Sequence, residues 1–316
     1  MTFIPRETAS FCGDLSGVEM LDIGGGDMIA DIGLLPLGIK HITTLDVLER
    51  NWNVVEHAAN EIKKAGFPVA DDYASRLKYL TYDGTTFPFP DNHFDFVYSW
   101  SAFEHIPDVP AVLREARRVV KPTGRVFIQV YPWFHCFAGS HLSDFIQEPF
   151  FHLKRPKEWV RSRLEEFVAA HPDQQDVVFG AMWPEYCRLN GYSARKFLAA
   201  ASEAGFCIER LQSTINEDHV ESAPSDVPLA DIVTWGSMVL LRPGKPFTAE
   251  ELRIVRLKEE LKRAQAERDE ARQRSHDLQV NLEAERSVRT GIERSVSWRV
   301  TEPARSLMTM LRQLRK

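Results

Sequence analysis

Short β-branched or apolar runs alternate with stretches of helical periodicity from Val18 to about Leu241. This is the pattern of βαβ units wound around a mostly parallel sheet. It predicts seven strands: Glu19 to Ile23, His41 to Asp46, Leu77 to Tyr82, Phe94 to Trp100, Gly124 to Tyr131, Phe206 to Gln212 and Ile232 to Leu241. Helices fit at Val54 to Ala65, Ala111 to Val120 and Ser193 to Ala204, the last two stopped by Lys121-Pro122-Thr123-Gly124 and by Gly205. Residues 132–190 break the rhythm, being too long for a plain connection and rich in aromatics and histidine. They read as a lid or substrate-shaping insertion in a first domain spanning 1–247.

Past Arg242-Pro243-Gly244-Lys245-Pro246, glycine and proline nearly vanish and Glu, Arg, Lys, Ala and Leu dominate. A heptad frame from Ile254 to Val296 carries nine apolar residues in thirteen core positions, which predicts a coiled coil over 248–297. The same residues also fit a single solvated helix held by pairs such as Glu259 with Arg263. Residues 298–316 then read as a basic amphipathic helix, with Thr301 as N-cap and Pro303 in the first turn. Leu307, Leu311 and Leu314 share one face of it.

Composition adds limits. The chain of 316 residues is 44% hydrophobic and 27% charged, ordinary for a globular protein and long enough for one large or two modest domains. Its net charge of −6 gives no reason to expect nucleic acid as a partner. That average conceals a split, because residues 248–316 hold 16 basic and 12 acidic side chains, a net of +4, against −10 for the rest. Cys12, Cys136, Cys187 and Cys207 form no CxxC pair, and no uncharged apolar run of about 18 residues occurs, so a cytoplasmic protein without a membrane span is expected.

The most informative stretch is Leu21-Asp22-Ile23-Gly24-Gly25-Gly26-Asp27, a strand that runs straight into three glycines. Glycine there permits positive φ and a close backbone approach to a ligand at the carboxyl end of the sheet. The dinucleotide spacing GxGxxG fails, since its third glycine would fall on Ile29. The stretch resembles instead motif I of the class I S-adenosylmethionine-dependent methyltransferases, D/E-x-G-x-G-x-G, with Met28 at the third glycine. A side chain at Met28 narrows the approach to the methionine end unless it points away.

Later features agree with that family in order. Asp46 ends the second strand, 24 residues after Asp22, and Asp83 follows the third in Leu80-Thr81-Tyr82-Asp83-Gly84. The run Phe87-Pro88-Phe89-Pro90-Asp91 to Phe94-Asp95-Phe96-Val97, then Glu104-His105-Ile106, resembles the family's lPfpd-x-sFDvV…leHi pattern. The resemblance covers roughly residues 15–242. It implies a Rossmann-like, doubly wound sheet binding S-adenosylmethionine, with cofactor contacts at Asp22, Gly24, Gly25, Gly26, Asp46, Val47, Asp83, Gly84 and Ser99. Asp46 would take the ribose hydroxyls and Asp83 the adenine amino group. A sheet protein with a vestigial pocket, binding the cofactor without turnover as a scaffold, is the alternative that Met28 favours.

Methyl transfer from a sulfonium is an in-line displacement governed by alignment, and a hydroxyl acceptor must also lose a proton. His105, at the family's EH position, is placed for that work, or else it caps the next segment. His135, His141 and His152 lie within eighteen residues of the insertion, at spacings that match no compact metal site. His141, three residues before Asp144, reads as a general base oriented by that carboxylate, or as lid packing. Trp133 and Trp183 are candidates for the pocket wall or for the insertion's own core. Quinone-pathway relatives bind a divalent metal through E-x-x-E-H; here Ser101 replaces the first glutamate, so no metal is expected.

The run Ser297-Trp298-Arg299-Val300-Thr301-Glu302-Pro303-Ala304-Arg305 resembles tails of bacterial enzymes of cell-surface polysaccharide assembly. It implies a glycan or glycolipid acceptor, O-methylated at the inner face of the cytoplasmic membrane. Methylation of a small lipophilic, quinone-like metabolite is the alternative. The coiled coil implies a homo-oligomer or a glycan-assembly partner. The basic tail suits an anionic membrane surface, or a helix docking on the acidic body or a second subunit.

Overall fold

Strand alternation sends side chains to both faces of one sheet, and both faces are covered. Met20, Ile42, Phe96, Tyr98 and Phe127 point to one core, while Leu21, Ile23, Val97, Val126 and Ile128 point to the other. The computed structural model describes residues 3–49, 52–244 and 296–313, with scattered helical positions between 253 and 286. These fall into two units, Met1–Pro246 and Phe247–Lys316.

In the first unit, helix α1 (Phe3–Cys12) precedes β1 (Glu19–Ile23), α2 (Ile29–Leu34), β2 (His41–Asp46) and α3 (Trp52–Lys64). A short turn α4 (Tyr73–Arg76) leads into β3 (Leu77–Thr81), followed by β4 (Phe94–Trp100), α5 (Val109–Val119) and β5 (Val120–Val130). The sheet order is β3-β2-β1-β4-β5-β7-β6, with β6 (Phe206–Ile215) and β7 (Thr234–Pro243) closing one edge. β1 to β5 run parallel, in the 3-2-1-4-5 order of a Rossmann-like fold, and Leu21 stands opposite both Thr43 and Val97.

β7 is the exception, antiparallel to both β5 and β6. A parallel return would need a long crossover, and the 216–233 connection holds only a 3₁₀ turn and the short α10 (Leu229–Val233). Ile232, expected in the last strand, is therefore helical. The expected turn Lys121 to Gly124 ends α5 as foreseen but lies inside β5, where the register shifts between the Phe94–Val120 and Phe96–Arg125 pairs. Gly124 fits there because a Cβ would meet the Asp95 carbonyl at 2.7 Å.

Helices α1, α2 and α3 cover one face through Phe11, Ile32, Val55 and Ile62. α5 and α9 (Ala194–Glu203) cover the other through Leu113, Ala116, Phe197 and Ala201. Asp108 and Ser193 cap these two, accepting from the Ala111 and Lys196 N–H groups.

The insertion folds around its own core of Leu142, Ile146, Phe151, Val160, Leu164, Val168, Val178 and Tyr186. Its elements are α6 (Phe151–Lys154), α7 (Lys157–Ala170), a π-helical stretch Asp176–Met182 and α8 (Trp183–Arg188). Trp133 belongs to the body rather than to this core or to a pocket: it is buried against Phe197, and its indole N–H donates to Ser237. Trp183 packs on the insertion's core.

In the second unit, helix Val296–Gln313 begins five residues before the expected cap, so Thr301 is internal and Pro303 lies inside the helix. That proline removes one backbone hydrogen bond to the preceding turn. Most of the expected coiled coil, 248–297, lies outside the described residues. Among the described residues no helix is long and apolar enough to cross a membrane.

Candidate active site

A cavity of about 210 Å³ opens at the carboxyl ends of the parallel strands. Ile23 and Gly24 end β1, and Asp46 and Val47 end β2. Tyr82 and Gly84 follow β3, Ala102 and His105 follow β4, and Glu185 and Arg188 close one side from α8. This is the crevice where open α/β sheets bind ligands.

The glycines earn their places differently. Gly24 has φ +76°, and a Cβ there would stand 2.5 Å from that of Ala102, so the turn after β1 and the loop after β4 touch only because the side chain is absent. A Cβ on Gly25 would lie 2.3 Å from an Asp22 carboxylate oxygen. Gly26 donates its N–H to Asp46 Oδ2 at 3.0 Å, and Leu48 donates to Oδ1 at 2.9 Å. Two backbone donors hold the Asp46 carboxylate at the cavity and leave lone pairs for further donors.

The other two aspartates do different work. Asp22 is buried beneath Gly25 and away from the cavity. Burial, then the neighbouring Asp31, drives its carboxyl well above the usual range. Burial also lifts Asp31 to about 6, although the Thr44 hydroxyl donates to it. Beneath the glycine turn, both carboxyls thus hold a proton more strongly than a free aspartate, Asp22 the more so. Asp83 is exposed and caps its own turn, accepting from the Thr85 N–H and hydroxyl and from the Thr86 N–H, which lower its carboxyl. It does not line the cavity; its neighbours Tyr82 and Gly84 do. Ser99 is likewise withdrawn, its hydroxyl donating to the Ile23 carbonyl inside the sheet. Met28 adopts φ +61° at the start of α2 and buries its side chain in the core, so it does not obstruct the cavity.

At the far end, Asn190 ties the insertion to the loop after β4, donating to the Phe103 and Ile106 carbonyls at 2.6 and 2.8 Å. This brings His141 beside His105, ring centroids 5.6 Å apart. His105 Nδ1 lies 3.5 Å from Glu185 Oε2, and Arg188 pairs with the other Glu185 oxygen at 2.6 Å. Burial lowers His105, an effect that Glu185 opposes. Burial and His105 bring His141 down to about 4. Asp144, expected to orient His141, is exposed and makes no hydrogen bond to it; Glu185 faces His105, and the buried Glu104 lies near both histidines. His152 is a core residue, bonded to the Phe134 carbonyl at 2.8 Å and brought to about 4 by burial. Glu104, buried beside His105, is pushed up to about 8 by burial and by Glu185.

Glu104, Glu185 and Arg188 are the site residues that sequence reasoning missed. Glu104 carried a signal in the EH pair. The other two carried none, since only the folding of the insertion brings α8 to the cavity.

Residues 21–128 match a family model described as a methyltransferase domain. The chain is 31% identical over 118 residues to a sterol 24-C-methyltransferase, ERG6B, of Gibberella zeae, covering 37% of this chain and 28% of that protein. It is 27% identical over 147 residues to phosphoethanolamine N-methyltransferase 2 of Caenorhabditis elegans, covering 45% and 30%. It is also 27% identical over 128 residues to the ubiquinone/menaquinone biosynthesis C-methyltransferase UbiE of Shewanella oneidensis, covering 40% and 47%. The chain therefore spans less than half the length of each of these relatives. The cofactor that the domain match brings is S-adenosylmethionine, and the cavity fits it: a carboxylate for ribose hydroxyls, a glycine cradle at Gly24 and apolar Val47 and Ile106 for a base.

Proposed function

We propose that the chain transfers the methyl group of S-adenosylmethionine to a hydroxyl of a glycan or glycolipid acceptor. One observation carries the reading. A single cavity joins the Gly24 and Asp46 end, suited to an adenosyl group, to His105 and Glu185, suited to receiving a proton. When bound, the cofactor supplies an electrophilic methyl group on sulfur.

The chain's own residues do the rest. Gly24 admits the cofactor's backbone contact, and Asp46 accepts from the ribose hydroxyls. The insertion, pinned by Asn190, narrows access for water. Bound there, the cofactor would give its methyl group to the acceptor oxygen and leave as a neutral thioether, and His105 and Glu185, which line the cavity, are placed to take the hydroxyl proton. The buried Met28 side chain takes away the feature that favoured a non-catalytic scaffold.

The glycan acceptor rests on the likeness of residues 297–305 to tails of polysaccharide-assembly enzymes, and the basic tail supports action at an anionic membrane surface. The names of two of the relatives, which speak of a sterol and of ubiquinone/menaquinone, keep a lipophilic acceptor as the second reading.

Two measurements test the proposal. Calorimetry should show S-adenosylmethionine bound by the intact chain, with affinity reduced about tenfold or more in Asp46→Ala, the loss of charge-assisted hydrogen bonds costing roughly 1.5–3 kcal/mol. Absence of binding by the unmutated chain refutes the cofactor assignment. Methyl-labelled cofactor should then mark lipid-linked glycan fractions; label confined to a quinone precursor would replace the acceptor.

A further inference from the structure

The sequence argues against a metal because Ser101 stands where relatives have a glutamate, and the Ser101 hydroxyl is indeed spent on Gln129 at 2.9 Å. Folding supplies a different third donor. A carboxylate oxygen of Glu104 and one ring nitrogen each of His105 and His141 lie within 4.8 Å of one another. Glu104 and His105 come from the loop after β4. His141 comes from the insertion, 36 residues on, a spacing that no local motif reveals.

Each member of the cluster has a buried polar atom without a hydrogen-bond partner. Glu104 is 3% exposed, and its Oε2 has no hydrogen-bond partner; neither does His105 Nδ1 nor His141 Nε2. A buried carboxyl oxygen without a partner is costly, and each of the three residues of this cluster carries one such polar atom. Two imidazoles and a carboxylate form the donor set of open divalent sites, which leave a position for water or substrate. Donors on one ion at about 2.1 Å sit about 3.4 Å apart in tetrahedral geometry, so small side-chain rotations close the set. The Glu185 carboxylate, 3.5 Å from His105 Nδ1, is at hand as a fourth donor or as a hydrogen-bonding outer partner.

We propose that Glu104, His105 and His141 bind one divalent transition-metal ion of the zinc or cobalt kind beside the acceptor end of the cavity, which His105 lines. The inference deepens the methyltransferase reading, on which its chemical role rests. The ion takes the acceptor oxygen, lowers the pKa of its hydroxyl and leaves Glu185 to receive the proton that the O–H bond releases. It also makes the insertion part of the site, because His141 completes the ligand set only when the insertion is docked through Asn190.

Co²⁺ alone is the probe, added to the chelator-stripped intact chain. One equivalent should bind, with visible absorption bands of a low-symmetry site. Glu104→Gln and His141→Ala should each weaken uptake at least about tenfold. Asp144→Asn, three residues from His141 and exposed, should leave uptake unchanged. S-adenosylmethionine calorimetry on the same variants reports folding and keeps the two proposals apart: retained cofactor binding with no saturable Co²⁺ uptake overturns the metal site alone. In the unmutated chain, bound Co²⁺ should shift the ring proton resonances of His105 and His141 much more than those of His171, an arm that needs no variant. Uptake equal in the unmutated chain and both ligand variants, or shifts confined to other histidines, would also overturn the site.

Discussion

Gly25 is the position where one added methyl group does most harm. Its Cβ would press on an Asp22 oxygen at 2.3 Å and on the Thr44 methyl at 2.5 Å, the one a member of the buried carboxyl pair under the turn and the other the residue whose hydroxyl donates to that pair. Gly25→Ala should cost about 1–3 kcal/mol in urea unfolding and weaken cofactor binding. Gly26→Ala meets no atom within 4 Å and carries only the penalty of φ +55°, roughly 1–2 kcal/mol. A Gly25 variant as stable as wild type would show that the turn rearranges. The pair beneath makes a pH prediction. Asp31, raised to about 6 from an ordinary value near 3.8, binds its proton more tightly when folded. Its contribution to stability is complete below about pH 3.8 and is lost as pH rises through about 6. Wild type should therefore lose stability relative to Asp31→Asn between about pH 4 and 6.5, measured as the difference in urea midpoints. Parallel curves would mean that folding does not raise Asp31.

At the scale of elements, the strands were legible because burial on both faces writes continuous apolar runs, and β1, β2 and β4 fall where the pattern puts them. The direction of β7 was not legible, since strand propensity is the same whichever way the chain runs. α1 was missed for a related reason: ten residues with Pro5 and four charged or hydroxyl side chains carry little periodic signal, and the helix is fixed by Phe11 packing on Phe127. The site divides along the same line. Asp46 and the glycines follow local sequence, whereas Asp22 and Ser99 have the residue types of ligands but face inward. Glu185 and Arg188 depend on an insertion whose fold has no short-range signature. That insertion has a separable core, which predicts a separable phenotype. Leu164→Ala should cost about 2–5 kcal/mol locally, raising amide exchange across α7 and α8 and reducing turnover. S-adenosylmethionine affinity should stay near wild type, because Gly24 and Asp46 lie outside the insertion. Equal loss of both functions would tie the insertion's core to the sheet.

For the whole molecule, the net charge of −6 is a cancellation between a body of −10 and a C-terminal segment of +4, with eight basic and two acidic residues from Arg286 to Lys316. Within helix Val296–Gln313, Leu307, Met308, Met310 and Leu311 are each at least half exposed. At helical spacing they span an arc of roughly 160°, and Arg305 and Arg312 fall on the opposite side. An apolar stripe backed by arginine suits the boundary of an anionic bilayer, where each basic residue contributes about 1 kcal/mol near the surface. The intact chain should sediment with phosphatidylglycerol vesicles, bind neutral vesicles less, and release as salt rises. Leu307→Glu should weaken binding to both kinds of vesicle, whereas Arg312→Gln should weaken binding to the anionic kind only. If both variants sediment like wild type while light scattering shows a concentration-dependent oligomer that Leu307→Glu dissolves, the stripe is covered by another copy of the chain. The membrane assignment then fails, and the methyltransferase reading stands on the cavity alone.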